Sequence, residues 1–210
     1  MEIRKRVGLP RMWFHVMNRG ARQELLFKVD GDRQEFVDLM GRFCLKNGVK
    51  MTAWCLMTNH YHLEPDSEGT PLSRTMHDLD GAYAKEFNGR YGGTGCLFQG
   101  PFKSMSIADE RGLAYVSRYI HLNPRDMGAD PLTYPWSSCA NYLGFRPNPP
   151  WLDPAPVPRQ FGETMDQARA NYRFYLNSAA PRRRRGPARI RSTTISRTTS
   201  ATWRKSAPIC

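Results

Sequence analysis

No run in this 210-residue chain approaches the roughly 20 apolar residues that a membrane span needs, and no apolar h-region follows the charged start MEIRKRVGLPRMWFHV. Cysteine is sparse and odd in number, at positions 44, 55, 96, 139 and 210, without a Cys-x-x-Cys pair or zinc-finger spacing. Reduced thiols and a soluble, non-secreted, cytoplasmic protein are the expectation. There is no Gly-x-x-x-x-Gly-Lys-Ser/Thr loop and no Gly-x-Gly-x-x-Gly after a strand, which argues against nucleotide hydrolysis and a dinucleotide cofactor. Acid is missing altogether from Pro181 onward, where eight arginines and one lysine stand. Before that point 22 basic residues face 19 acidic ones, so most of the net charge of +12 belongs to the tail. Such a tail reads as disordered and anion-seeking, gaining by counterion release from a polyphosphate.

What is present reads as one domain with appendages. RMWFHVMN, closed by an Asn-Arg-Gly turn, predicts a first strand. From Asp30, with Asp30 or Asp32 as cap, the spacing of Phe36, Leu39, Met40, Phe43 and Cys44 predicts a helix. GVKMTAWCLM and TNHYHLE predict two strands in an antiparallel hairpin. The stripe Met76, Leu79, Tyr83 and Phe87 predicts a second helix over 72–91; LFQGPFKSMSI leads into a fourth strand, and DERGLAYVSRYIHLN makes a third helix stopped by Pro124. The order β-α-β-β-α-β is a split β-α-β, an α+β fold with one antiparallel sheet backed by helices. Its expected core holds Trp13, His15, Val16, Trp54, Leu56, Phe87 and Ile107 with the helix stripes. RPNPPWLDPAPVP predicts a stiff connector, and a short amphipathic helix from about Met165 to Leu176 is expected to dock on the body. The expected divisions are a domain over 1–145, a proline-rich linker over 146–159, a docking helix over 160–178 and a basic, disordered tail over 179–210.

The chemistry concentrates in two places. In a strand, residues two apart share a face, so His60 and His62 present both imidazoles together, a seat for a divalent metal. Tyr119 and Asn123 stand four apart on the third helix, hence on one face. Asn123 offers a carbonyl oxygen to a hard cation and Tyr119 a nucleophile, with Tyr115 one turn earlier as a competitor. A phenol of pKa about 10 costs about 4 kcal/mol to ionise at pH 7, which asks for a metal beside the phosphate under attack. Exchanging a phosphodiester for a phosphotyrosine conserves bond energy, consistent with the missing ATP loop. Glu64 shares the parity of the two histidines and reads either as a further ligand or as a solvated acid. Pro65 cannot donate to a ladder and is expected to cut the third strand short.

The segments HVMNRGARQELLF, WCLMTNHYHL, LFQGPFKS and YVSRYIHLNP, followed by YPWSS, resemble in order the single-tyrosine HUH transposases of the IS200 type, in particular the REP-associated tyrosine transposases. The likeness runs from about Arg11 to Trp151. It implies a ferredoxin-like fold with an extra nucleophile-bearing helix. It also implies a Mg²⁺ or Mn²⁺ ion, single-stranded hairpin DNA as partner, and a transient 5′-phosphotyrosine bond with a free 3′-hydroxyl. By the same resemblance Tyr119 is the nucleophile, and His60, His62 and Asn123 are the metal ligands. For DNA contact, Arg19, Lys103 and Arg118 are expected at phosphates and Phe98 and Phe102 as stacking platforms.

The leading expectation is therefore a metal-dependent single-stranded DNA endonuclease and strand transferase, monomeric or homodimeric and without a membrane partner. A catalytically inactive, structure-specific binder of DNA or RNA hairpins is the alternative, motivated by HLEPD and the basic end. A histidine-zinc hydrolase is disfavoured for want of a Glu-x-x-His or cysteine cluster.

Overall fold

The aromatic stretch after Arg11 forms β1, Trp13–Arg19, in the computed structural model, which describes residues 12–67 and 72–178. The basic run Arg182–Arg185, with the tail over 179–210, lies outside the described residues. Helix α1, Asp30–Asn47, starts where the Asp32 carboxylate accepts from the backbone N–H groups of Lys28 (2.8 Å) and Val29 (3.1 Å), and ends at Gly48 in the left-handed region. Of the two expected caps, Asp32 is the one that reaches back to the backbone. Strands β2, Lys50–Leu56, and β3, His60–Asp66, make the hairpin. Helix α2, Leu72–Tyr91, buries Met76, Leu79, Tyr83 and Phe87 as its spacing requires. Strand β4, Lys103–Ile107, leads to α3, Glu110–Leu122, whose first turn is capped by Asp109 accepting from Gly112 N at 2.7 Å. A 3₁₀ turn over Asn123–Met127, the short α4, Cys139–Tyr142, and α5, Met165–Asn177, complete the described chain.

The sheet has the order β2-β3-β1-β4 with every neighbouring pair antiparallel, the split β-α-β arrangement of an α+β, ferredoxin-like fold. Strand alternation gives it two unlike faces. Val16, Tyr61 and Leu63 pack with Phe36, Met76 and Tyr83 under α1 and α2. The opposite face packs Ala53 and Cys55 against Leu113, Val116 and Ile120 of α3, with Tyr142 and Tyr172 beyond. Of the expected core, Val16, Trp54, Leu56 and Phe87 are buried; Trp13 and Ile107 pack at its margin, and His15 is only half-buried.

Two features of the sheet depart from the sequence reading. β3 is not cut short at Pro65 but runs on to Asp66, because the partner strand accommodates the proline: pairing shifts register between Met51 and Ala53, opposite Pro65 and Glu64. The stretch expected as a proline-rich linker over 146–159 also departs: Trp151, Leu152 and Val157 are buried, and it helps to cover the outer edge of β2. Leu56 N–H donates to Trp136 O, Ser138 N–H to Trp54 O, Met51 N–H to Trp151 O and Asp153 N–H to Met51 O, all within 2.8–3.0 Å. The segments around Ser137 and Leu152 thus satisfy the backbone groups of an otherwise open strand.

Candidate active site

Register puts Cys55, His62, Met17 and Lys103 in one row across the four strands, and Arg19 beside His60 in the next. Cross-strand partners share a face, so both histidines, Arg19 and Lys103 lie on the face toward α3. The His60 and His62 rings are 5.1 Å apart and nearly perpendicular. His62 is almost wholly buried, and its Nδ1 is 3.0 Å from Nε2 of His15, whose ring stacks on it at 5.1 Å. His60 Nδ1 lies 2.8 Å from Asn59 Oδ1.

Burial lowers the pKa of all three imidazoles. For His62 it acts first, followed by His15, His60 and Arg19, and the value falls to about 3. For His60, burial is followed by the charge of Arg19; for His15, burial alone is the cause. The pair His60 and His62 is therefore neutral at neutral pH, the form in which imidazole binds a metal.

Helix α3 brings the phenol to this pair. The Tyr119 ring sits edge-on 5.4 Å from His62 and 5.7 Å from His15, and 47% of the residue is exposed. Tyr119, not Tyr115, is thus the α3 tyrosine whose ring stands edge-on against the histidines. Asn123 closes the end of the helix as its C-cap. Its Nδ2 donates to the Tyr119 carbonyl at 2.8 Å and to that of Ile120 at 3.4 Å, which turns Oδ1 the other way, and its side chain is in hydrogen-bond contact with His62.

Among the described residues no three His, Cys, Asp or Glu side chains form a metal-binding group. The available donors are of another kind. Nδ1 of His62 lies against His15 and Nδ1 of His60 against Asn59, so Nε2 of each histidine and the amide oxygen of Asn123 are the atoms that could take a cation. Two neutral nitrogens and one oxygen are a donor set that a divalent cation would accept. Glu64 is not a fourth donor, nor is it solvated. Although it shares the histidines' parity, it is fully buried and accepts from Ser117 Oγ on α3, and burial raises its pKa well above the usual carboxylate range. Ser117 Oγ is also 3.2 Å from the Tyr142 hydroxyl, which donates to Thr52 O at 3.0 Å. Glu64 and Ser117 therefore tie the strand of His62 to the helix of Tyr119.

Arg118 departs from its expected place at DNA. It is 4% exposed, and its guanidinium donates to the carbonyls of Tyr175 (2.8 Å), Leu176 and Ser178, capping the end of α5 and stacking on Tyr175. Arg19 and Lys103 flank a cavity of about 360 Å³ with Met17 and Asn18. Phe98 and Phe102 pack against the α1/α2 core and line a larger cavity of about 470 Å³. Sequence reasoning missed His15, placing it in the core. The signal was there: it has the strand parity of Arg19, which is expected at a phosphate. Ser117 carried no such signal.

The geometry can be compared with known proteins. Residues 9–123 match the family model described as "Transposase IS200 like". Among solved structures, the REP-associated tyrosine transposase bound to a REP hairpin is similar at a TM-score of 0.54 and 19% identity, over 71% of this chain and 89% of that one. A candidate transposase from Deinococcus radiodurans R1 aligns at a TM-score of 0.41 and 17% identity, over 57% of this chain and 95% of that one. No curated protein matches the chain in a sequence search.

Proposed function

The chain belongs to the IS200-like transposase family, and from that premise we propose that it is a metal-dependent single-stranded DNA endonuclease and strand transferase acting on hairpin-forming DNA through a 5′-phosphotyrosine intermediate. The observation that carries this reading is the Tyr119 ring standing 5.4 Å from His62 with Asn123 one turn beyond. Tyr119 Oη forms a bond to phosphorus as the P–O3′ bond breaks; the phenolic proton passes to water and the departing 3′ oxygen takes one up. The reverse step, with another 3′-hydroxyl attacking the phosphotyrosine, joins strands without ATP. His60, His62 and Asn123 would hold a Mg²⁺ or Mn²⁺ ion, which when bound would offset the charge gathering on the phosphate oxygens. Arg19 and Lys103, on the same face of the sheet, attract the flanking phosphates and make binding salt-dependent. That the similar REP-associated transposase is bound to a REP hairpin supports hairpin DNA as the substrate class.

Within this reading the residues over 1–145 carry the chemistry and the basic tail adds sequence-independent affinity. The inactive-binder alternative is motivated by HLEPD and the basic end; β3 continues through Pro65 to Asp66, which takes away the first of these two motives. Tyr119→Phe tests the proposal. Denaturing gels of labelled hairpin oligonucleotides with Mn²⁺ should show a covalent protein–DNA adduct with the wild type and none with the variant, while hairpin binding is retained. Adducts that persist in Tyr119→Phe would sink the assignment.

A further inference from the structure

His15 serves the mechanism above as neither ligand nor nucleophile, yet it touches one of each. Its ring stacks on His62 at 5.1 Å and meets the edge of Tyr119 at 5.7 Å, and its Nε2 stands 3.0 Å from His62 Nδ1. At about pH 8 a neutral imidazole is the ordinary form, with one N–H and one acceptor nitrogen per ring. Two such nitrogens facing each other share one proton, so one ring donates and the other accepts.

Asn123 decides which ring donates. Its Nδ2 directs its hydrogens to the carbonyls of Tyr119 and Ile120, so the contact of its side chain with His62 is made by Oδ1, an acceptor. The His62 nitrogen that meets Oδ1 therefore carries a hydrogen. Nδ1 is engaged by His15, which leaves Nε2 as that donor. Without a metal, then, His62 Nε2–H points at Asn123, and His62 Nδ1 accepts from His15 Nε2–H. This is the wrong tautomer for a ligand, because a cation needs the Nε2 lone pair that the hydrogen occupies. His60 differs. Its Nδ1 lies 2.8 Å from Asn59 Oδ1, while Asn59 Nδ2 donates to Gln23 O, so His60 carries its hydrogen on Nδ1 and keeps Nε2 free.

We propose that His15 is a positioning residue that lets His62 change tautomer: by turning its own Nε2 from donor to acceptor, it supports Nδ1–H on His62 and frees the Nε2 lone pair for the cation. Protons balance within the pair. His62 gives its Nε2 proton to water and takes the His15 proton at Nδ1, while His15 regains one from water at its own Nδ1. The carboxylate or carbonyl that usually backs a metal-bound histidine only accepts, and so fixes one tautomer. An imidazole backs both, which suits a ligand that is paired with Asn123 until metal arrives. This inference rests on the metal reading proposed above and adds to it the residue that governs loading.

Two variants separate what the ring does. His15→Phe keeps a flat ring against His62 and Tyr119 but neither donates nor accepts; His15→Gln loses the ring but offers an amide that does both. Mn²⁺ affinity of the DNA-free protein, from EPR titration, should fall roughly ten- to a hundredfold in His15→Phe and stay within about threefold of wild type in His15→Gln. Long-range ¹H–¹⁵N spectra of the wild type should show His62 protonated at Nε2 without metal and at Nδ1 with saturating Mg²⁺, and His60 at Nδ1 in both. These spectra need no variant, so they decide the matter independently of how either substitution folds. Wild-type Mn²⁺ affinity in His15→Phe, or an equal loss in both variants, overturns the role of His15 and leaves the metal reading standing. So does His62 protonated at Nδ1 in the metal-free protein. A wild type that forms adducts yet binds no Mn²⁺ overturns the metal reading and this inference together.

Discussion

On β3, Tyr61 and Leu63 point one way and His60, His62 and Glu64 the other, so two sides of a single seven-residue strand have different tasks. The side toward α1 and α2 is mainly apolar, with Phe36 in ring contact with Phe27, Tyr61 and Tyr83, although the Tyr61 hydroxyl donates to Asp80. The side toward α3 is also packed, but polar groups are threaded through it. His121 lies fully buried, its Nδ1 2.8 Å from the Tyr172 hydroxyl and its Nε2 2.8 Å from Ser138 Oγ. Buried polar groups are tolerated where their hydrogen bonds are made, and these bonds fix direction as apolar packing does not. The comparison teaches that the first face supplies cohesion, while the second spends part of its packing on holding Tyr119 in register with His62.

Breaking each face separately is the sharpest check. His60→Ala should lower adduct formation by about 10³-fold or more, the scale of several kcal/mol of charge stabilisation, while the melting temperature moves only a few degrees. A parallel collapse in melting temperature would erase the proposed division of labour. Leu63→Ala, one residue beyond His62 but on the other face, should cost about 2–5 kcal/mol in urea unfolding and leave adduct yield per folded molecule unchanged.

Acid should act on the α3 face. Burial holds His62 and His121 at about 3 in the folded state, against about 6.5 when unfolded. The unfolded chain therefore binds more protons between these values, and stability present above about pH 6.5 is lost as pH falls through that window. By pH 5 the loss is about 2 kcal/mol per histidine, read from urea midpoints. Glu64 has the opposite sign: its raised folded pKa gives stability that is present below about 4.5 and lost as pH rises toward the folded value. Glu64→Gln, which cannot ionise, should gain stability relative to the wild type as pH rises from 5 to 8, read from the same urea midpoints.

Much of this was legible locally. The stripe Met76, Leu79, Tyr83 and Phe87 marks α2 from end to end, and the two-residue and four-residue spacings place His60 with His62 and Tyr119 with Asn123 on common faces. The remainder depended on partners distant in sequence. Pro65 gives no hint of the register shift at Met51 that admits it, and the parity of Glu64 does not reveal Ser117 on another element. Arg118 is next to Tyr119 in the chain, yet its direction is set by carbonyls about 60 residues later, at the end of α5.

The covered edge of β2 bears on where this protein can be divided. The family match ends at Asn123, an inviting place to cut a gene for expression. A fragment ending there would shed the backbone partners of Met51, Trp54 and Leu56 together with Ser138, Tyr142 and Tyr172, stripping the outer margin of the sheet and the support beneath α3 at once. Its bare strand would offer donors and acceptors to a second molecule. Such a fragment should self-associate, whereas a chain kept through Ser178 retains its margin.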